Sequence, residues 1–177
     1  MKNIREVGNQ PLTWHQADEG KASWELRAGL DVVGTVTWQN PTADGTLVIA
    51  TSADGRWSFK RVGVFSPRVT VRVAGTDTDV AIVTPHLGTS VVDFPGGRVV
   101  HFTRSGFWLN EFTFADSNGE RLLAFKEAGT RVEIATGAET RSDASLLALL
   151  GCYLLHLYAR DMESAAMVAV LFAGAGG

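Results

Sequence analysis

The sequence predicts a mainly β fold, a closed antiparallel β-barrel of about twelve strands that encloses one hydrophobic helix near the carboxyl end. Between Trp24 and Ala135, short runs of alternating apolar and polar residues are broken by turn residues at intervals of about eight to twelve positions. An apolar stretch without a polar stripe follows Ser142. A segment that begins at Gly55 is echoed by one that begins at Gly97, which indicates a duplicated unit.

Length and composition indicate one domain with a core of its own. The chain has 177 residues, of which 45% are hydrophobic and 20% charged, so disordered and multi-span membrane classes are excluded. A net charge of −3 disfavours a nucleic-acid binder. The one cysteine, Cys152, excludes an internal disulfide. We therefore expect a single domain over residues 1–177, which begins with an N-terminal arm over residues 1–21.

The clearest local prediction is a hairpin in the first half of the chain. Leu47–Ala50 is followed by Asp54 and Gly55, a pair suited to a tight turn in which both central residues take positive φ. The returning strand, Arg56–Arg61, places Trp57 and Phe59 on one face and its polar residues on the other.

The other strands are equally short, and their connections are too short for crossover helices, which predicts hairpins and meanders. The further predicted strands are Val32–Trp38, Arg68–Val73, Val80–Val83, Val91–Val92, Val99–Phe102, Phe112–Phe114, Leu122–Phe125 and Val132–Ile134, with an additional strand near Leu12–Trp14.

The internal echo supports closure of these strands into a barrel. Gly55–Phe65 resembles Gly97–Phe107, and Arg68–Val71 resembles Glu111–Phe114 at an offset of 43, the same as between the second glycines (106 − 63). Two copies are too few for a propeller. Two similar meanders that close into one barrel leave no exposed sheet edge, which is why we favour that arrangement.

A central helix is predicted from Asp143 to Arg160. Its leucines cover every side of a helical wheel, so it must be buried on all sides, in protein or in lipid. The 15 residues of Ala144–Tyr158 (158 − 144 + 1) span roughly 22 Å, short of the ~30 Å hydrocarbon core of a bilayer. A core helix is therefore favoured. The apolar tail, residues 161–177, is expected to form a final strand or lid, or to join a membrane-inserted hairpin.

This pattern resembles the tubby-like superfamily, which includes the tubby C-terminal domain, the phospholipid scramblases and the LURP-one-related proteins. The residues that carry the resemblance are Gly55–Arg61 followed by Arg68–Arg72, and Leu146–Leu155 continuing to Asp161. The resemblance covers Trp24 to Asp161 and implies a barrel around a central helix. It also implies that the protein engages lipid head groups or protein partners. The chain lacks the proline-rich arm, cysteine cluster and acidic calcium loop of scramblases, so scrambling and calcium control are not implied.

The candidate ligand site is a basic face on the Gly55–Thr76 segment, which contains no Asp or Glu. Its members, which alternation places on the outer face, are Arg56, Lys60, Arg68 and Arg72. Arginine offers bidentate geometry to phosphate, so this face suits a phosphorylated head group. The alternative is a solvated sheet face whose charges deter edge pairing. Cys152 and His156 lie four residues apart, and we interpret them as core residues.

No hydrolase elbow, phosphate loop or zinc-protease motif is present, so we expect no enzymatic activity, no metal and no cofactor. The leading hypothesis is a cytosolic binding or scaffold module for anionic lipid head groups, phosphorylated ligands or a protein partner. The first six residues show no secretory signal, which favours a cytoplasmic location, at most peripheral to a membrane. The alternative hypothesis is a membrane-attached, scramblase-like protein that is anchored through its C-terminal apolar segment.

Overall fold

Twelve antiparallel strands form a closed barrel in the computed structural model, which describes residues 1–8, 10–17, 22–39, 46–86, 89–105 and 111–174. The predicted fold class is confirmed. The strands are β1 (Leu12–Gln16), β2 (Ser23–Ala28), β3 (Asp31–Trp38), β4 (Val48–Ser52), β5 (Gly55–Val62), β6 (Arg68–Val73), β7 (Asp79–His86), β8 (Thr89–Asp93), β9 (Val99–Ser105), β10 (Glu111–Asp116), β11 (Arg121–Lys126) and β12 (Arg131–Ile134).

Each strand pairs with the next along the chain, and β1 closes the circle by pairing with β12, where Leu12 faces Val132. Residues 12–16 therefore belong to the barrel rather than to an N-terminal arm, because closure needs a strand beside β12. A 3-10 helix, Ile4–Val7, precedes β1 and buries Ile4 and Val7. Residues 9 and 18–21 of the expected arm lie outside the described residues.

Alternation along the strands separates the core from the surface. In β5, Trp57 and Phe59 are buried, whereas Arg56 and Lys60 are exposed. The neighbouring strand β6 buries Val69 and Val71 in the same way. The inward side chains of the twelve strands thus line one continuous core.

The first part of the helix α1 (Ala144–Gly174), up to Leu157, lies inside the barrel. Every residue from Asp143 to Leu154 is buried, which accounts for more than three turns with no face toward solvent. The Tyr153 side chain is fully buried, and its hydroxyl donates a hydrogen bond of 2.8 Å to the backbone carbonyl of Thr46. The predicted enclosure of an apolar helix by the sheet is confirmed.

The expected end of the helix at Arg160 is wrong, because α1 continues to Gly174. Arg160 suits a last helical turn but does not stop a helix, and no glycine or proline occurs between Arg160 and Gly174. Residues 161–174 therefore form neither a final strand nor a separate lid. Residues 175–177 of the expected tail lie outside the described residues. Among the residues that are described, no helix is long and apolar enough to cross a bilayer.

One end of the barrel, here called the entry end, holds the start of α1. Asp143 pairs with Arg98 at 2.6 Å and with Arg141 at 3.2 Å. Asp54, in the β4–β5 turn, accepts hydrogen bonds from Asn3 and from the hydroxyl of Ser145. These contacts tie the first turn of α1 to the hairpins around it. The helix leaves at the opposite end, the exit end, beside Arg61 of β5 and Arg104 of β9.

Gly151 is expected to be indispensable for this packing. An added Cβ would overlap the Phe125 ring, so Gly151→Ala should lower the free energy of unfolding by about 1–3 kcal/mol. Helix propensity alone predicts the opposite, a gain of about 1 kcal/mol. Urea unfolding followed by tryptophan fluorescence decides between them. The double variant with Phe125→Leu should recover part of the loss, and a Gly151→Ala protein at least as stable as the parent would contradict the packing argument.

Candidate functional site

The four predicted ligand residues share the outer face of the β5–β6 hairpin, but they do not converge. Lys60 lies opposite Thr70, and Arg68 lies opposite Val62 near the exit end. Arg56 lies at the start of β5, near the entry end. Six residues along a strand separate the levels of Arg56 and Arg68, which corresponds to about 20 Å. One head group therefore cannot contact all four side chains.

The charge of Arg72 is already neutralised by two carboxylates that lie just beyond the basic segment. Its guanidinium pairs with Asp79 at 2.6 Å and with Asp77 at 3.1 Å. The hydrogen bond that Arg72 donates to Asp79 is the main cause that raises the pKa of Arg72. The acid-free segment Gly55–Thr76 ends just before these two carboxylates. The pairing of β6 with β7 brings Asp79 beside Arg72, and this contact is not apparent from the order of residues along the chain.

A cavity of about 500 Å³ lies at the exit end, between α1 and strands β5 to β10. Its body is apolar, and the helix contributes part of the wall. The apolar lining residues are Pro67, Val69, Val83, Pro85, Phe102, Phe112, Leu154, Leu157 and Met162. Such a volume and lining are typical of small-molecule sites.

Three arginines line the same cavity, Arg61, Arg68 and Arg104. Arg61 pairs with Asp161 of α1 at 2.7 Å. Arg104 donates a hydrogen bond of 2.7 Å to the Tyr158 hydroxyl and lies over the Phe112 ring. Within the described part of the chain, Arg68 has no ion-pair partner. The cavity thus combines an apolar body with an excess of positive charge.

Arg61 and Arg104 are equivalent positions of the internal repeat, 43 residues apart (104 − 61). Both follow buried residues at alternate positions, Phe59 in β5 and Phe102 in β9, and therefore belong to the inward set of their strands. Arg61 and Arg104 are not among the four ligand residues predicted from the sequence. A basic residue at an inward position, repeated in both copies, is the signal that finds them. Residues 106 and 107 of the second copy lie outside the described residues.

Cys152 is a buried core residue, as predicted, whereas His156 is half-buried beside the core. Burial raises the pKa of the Cys152 thiol. His156 donates a hydrogen bond to the backbone carbonyl of Cys152, and its ring lies 4.5 Å from that of Trp38 and 5.4 Å from that of Trp24. Burial is the main cause that lowers the pKa of His156. No group of three metal-ligating side chains occurs among the residues described.

No protein-family model matches the chain, and neither curated proteins nor solved structures show significant similarity to it. The resemblance to the tubby-like superfamily therefore stays a prediction. Function has to be argued from the cavity and its charges.

The lowered pKa of His156 predicts an acid-sensitive barrel. As the pH falls below about 6.5, the unfolded chain takes up a proton at this position before the folded chain does. The free energy of unfolding should therefore be insensitive to this group above about pH 7 and should fall below about pH 6.5. His156→Leu should reduce that fall in urea unfolding curves recorded at about pH 8 and about pH 5.5. Comparing the two pH values within each protein separates titration from lost packing. An equal fall in both proteins would contradict the prediction.

Proposed function

We propose that this protein is a non-enzymatic binding module that holds an anionic amphiphile, one carboxylate or phosphate on an apolar chain, in the exit-end cavity. The observation that carries the proposal is the lining of that cavity, an apolar body bordered by Arg61, Arg68 and Arg104. We further propose that it acts in the cytoplasm, at most peripheral to a membrane.

The two parts of the cavity match the two parts of such a ligand. The walls formed by Val69, Val83 and Phe102 remove a hydrocarbon chain from water, which contributes about 25 cal/mol per Å² of apolar surface buried. An arginine guanidinium donates two parallel hydrogen bonds to a carboxylate or phosphate, and these are stronger than bonds between neutral groups. A wholly polar ligand leaves the walls unused, and a neutral chain leaves the arginines unused.

Binding is expected to be an equilibrium process in which the ligand competes with the protein itself. Asp161 is a carboxylate on the cavity wall, and it already pairs with Arg61. The anionic group of a ligand therefore has two ways to bind, at Arg68 or in place of Asp161 on Arg61. In both cases the attraction is partly exposed to solvent and weakens as salt is added.

Of the four residues that the sequence analysis selected, this site includes one, Arg68. Arg56 and Lys60 remain exposed on the outer face, and Arg72 is held by Asp77 and Asp79. The tubby-like resemblance implies lipid head groups or protein partners, and the cavity supports the first of these by its own chemistry.

Binding of a twelve-carbon fatty acid should need both the chain and the charge. Below their critical micelle concentrations, dodecanoate and dodecyl phosphate should bind, while dodecanol and inorganic phosphate should bind much more weakly. Arg68→Gln should weaken binding of the anions by about five- to tenfold. Isothermal titration calorimetry measures each affinity. Arg56→Gln is the matched control, because Arg56 is an exposed arginine of the same hairpin far from the cavity. Equal binding of dodecanol, or an equal loss with Arg56→Gln, would refute the proposed site.

Removing the internal competitor should strengthen binding. Asp161→Asn frees Arg61 for the ligand, so the affinity for dodecanoate should rise by about three- to tenfold. The fold should tolerate the change, because the Arg61–Asp161 pair is partly exposed and solvent-accessible pairs contribute about 1 kcal/mol or less. Glu163→Gln removes an equal charge from the same helix and should raise the affinity less, since Glu163 is exposed outside the cavity lining. Equal effects of the two variants would assign the gain to net charge alone.

A further inference from the structure

The turn between β5 and β6 presents two large apolar side chains to solvent. Val64 is 90% exposed and Phe65 is 100% exposed. Gly63 has φ +87°, and an added Cβ there would lie 2.7 Å from the backbone oxygen of Ser66, so the turn is sharply bent. Neither side chain therefore packs in the core of the barrel. We call this segment, residues 63–67, the exit tip.

The exit tip lies beside the cavity and the emerging helix. Pro67 and Arg68, which end the turn, line the cavity, and so does Arg61, just before it. The hairpin from Gly55 to Ala74 contains no acidic residue, and its basic residues are Arg56, Lys60, Arg61, Arg68 and Arg72. The part of α1 that follows Glu163, residues 164–174, contains no charged residue.

We propose that the exit tip is a membrane-docking element that inserts Val64 and Phe65 into the apolar boundary of an anionic bilayer. Lys60 and Arg68 flank the tip and then lie at the level of the head groups, where each basic side chain adds attraction to an anionic surface. The bilayer removes from water the two side chains that folding leaves in water.

The shape of the tip favours a bilayer over a protein. A stable protein interface buries about 800 Å² on each partner around an apolar core. The exit tip instead is a protrusion of two apolar residues with basic neighbours. A fluid interface accepts such a protrusion without a matching pocket. Residues 158–163 of α1 contain two carboxylates, which differ in how strongly they oppose docking. Asp161 is paired with Arg61, so only Glu163 adds unpaired negative charge among the described side chains of this range.

The insertion step does not depend on the cavity ligand, because Val64 and Phe65 are exposed and lie outside the cavity lining, whereas Arg68 is shared by the two proposals. If both proposals hold, docking points the cavity mouth at the bilayer, which is the store of anionic amphiphiles. The two proposals fail separately: the titrations with dodecanoate test the cavity without vesicles, and the vesicle experiments below test the tip without added ligand.

Vesicle sedimentation tests the docking directly. The full chain should bind phosphatidylcholine vesicles that contain about one third phosphatidylglycerol, and should bind pure phosphatidylcholine vesicles much less. Phe65→Ser should reduce the partition coefficient by about tenfold. The matched control is Leu30→Ser, which removes an apolar side chain that is 94% exposed in the β2–β3 turn at the entry end. An equal loss for both variants, or no loss for Phe65→Ser, would overturn the proposal.

A dye at the tip reports insertion rather than mere attraction. Cys152 is buried, so a thiol-reactive, polarity-sensitive dye should leave the parent protein unlabelled and should label Phe65→Cys selectively. Anionic vesicles should shift the emission of that dye to the blue, and soluble glycerol phosphate should not. The same dye on Leu30→Cys should show no shift. A shift with glycerol phosphate would indicate head-group binding alone, and no shift with vesicles would indicate that the tip stays in water; either result overturns insertion.

Discussion

Burial of α1 on every side is the constraint on which the rest of the structure depends. A closed barrel of twelve strands is too wide for its inward side chains alone to fill, and a helix with leucines all round has no stable position on a surface. The helix fills the interior of the barrel, and the barrel buries the apolar surface of the helix. The fit is close where side chains are smallest: an added Cβ at Gly34 of β3 would lie 2.6 Å from Leu149, and Gly151 lies against the Phe125 ring. These contacts fix the helix inside the barrel and thereby fix where it emerges.

The two ends of the barrel differ as a consequence of that helix. At the entry end, short turns and the Asn3, Asp54 and Ser145 contacts close around the first turn of α1. At the exit end the helix passes through the mouth, and a cavity remains beside it. Inward positions there reach solvent, so they can hold charge that deeper positions cannot. Arg61 and Arg104 occupy such positions, and each finds a partner on the helix, Asp161 and Tyr158 respectively.

The sequence was sufficient for the barrel because its signals are local and repeated. Alternation over each strand and an all-round apolar helix predict enclosure without knowledge of which strands touch. The site was harder to predict from the sequence, because it depends on contacts between strands that are distant in the chain. Arg72 looks unpaired until β7 brings Asp79 beside it. The end of α1 was missed for a different reason, since Arg160 is compatible with a helix end but no residue there enforces one.

Because the two repeat copies differ in sequence, positive charge is distributed unevenly around the exit end. Both copies keep the inward arginine, but Arg68 of the first copy corresponds to Glu111 in the second, and Glu111 lies 3.7 Å from Arg121. Among the described residues Arg68 has no ion-pair partner, so the positive charge is stronger on the side of the first copy, where Arg68 also borders the exit tip. An anionic group that enters the mouth is drawn to the same side as the exposed Val64 and Phe65. The charged end of a ligand and the apolar contact with a bilayer thus belong to one hairpin, β5–β6, while the second hairpin contributes mainly the aromatic wall of Phe102 and Phe112.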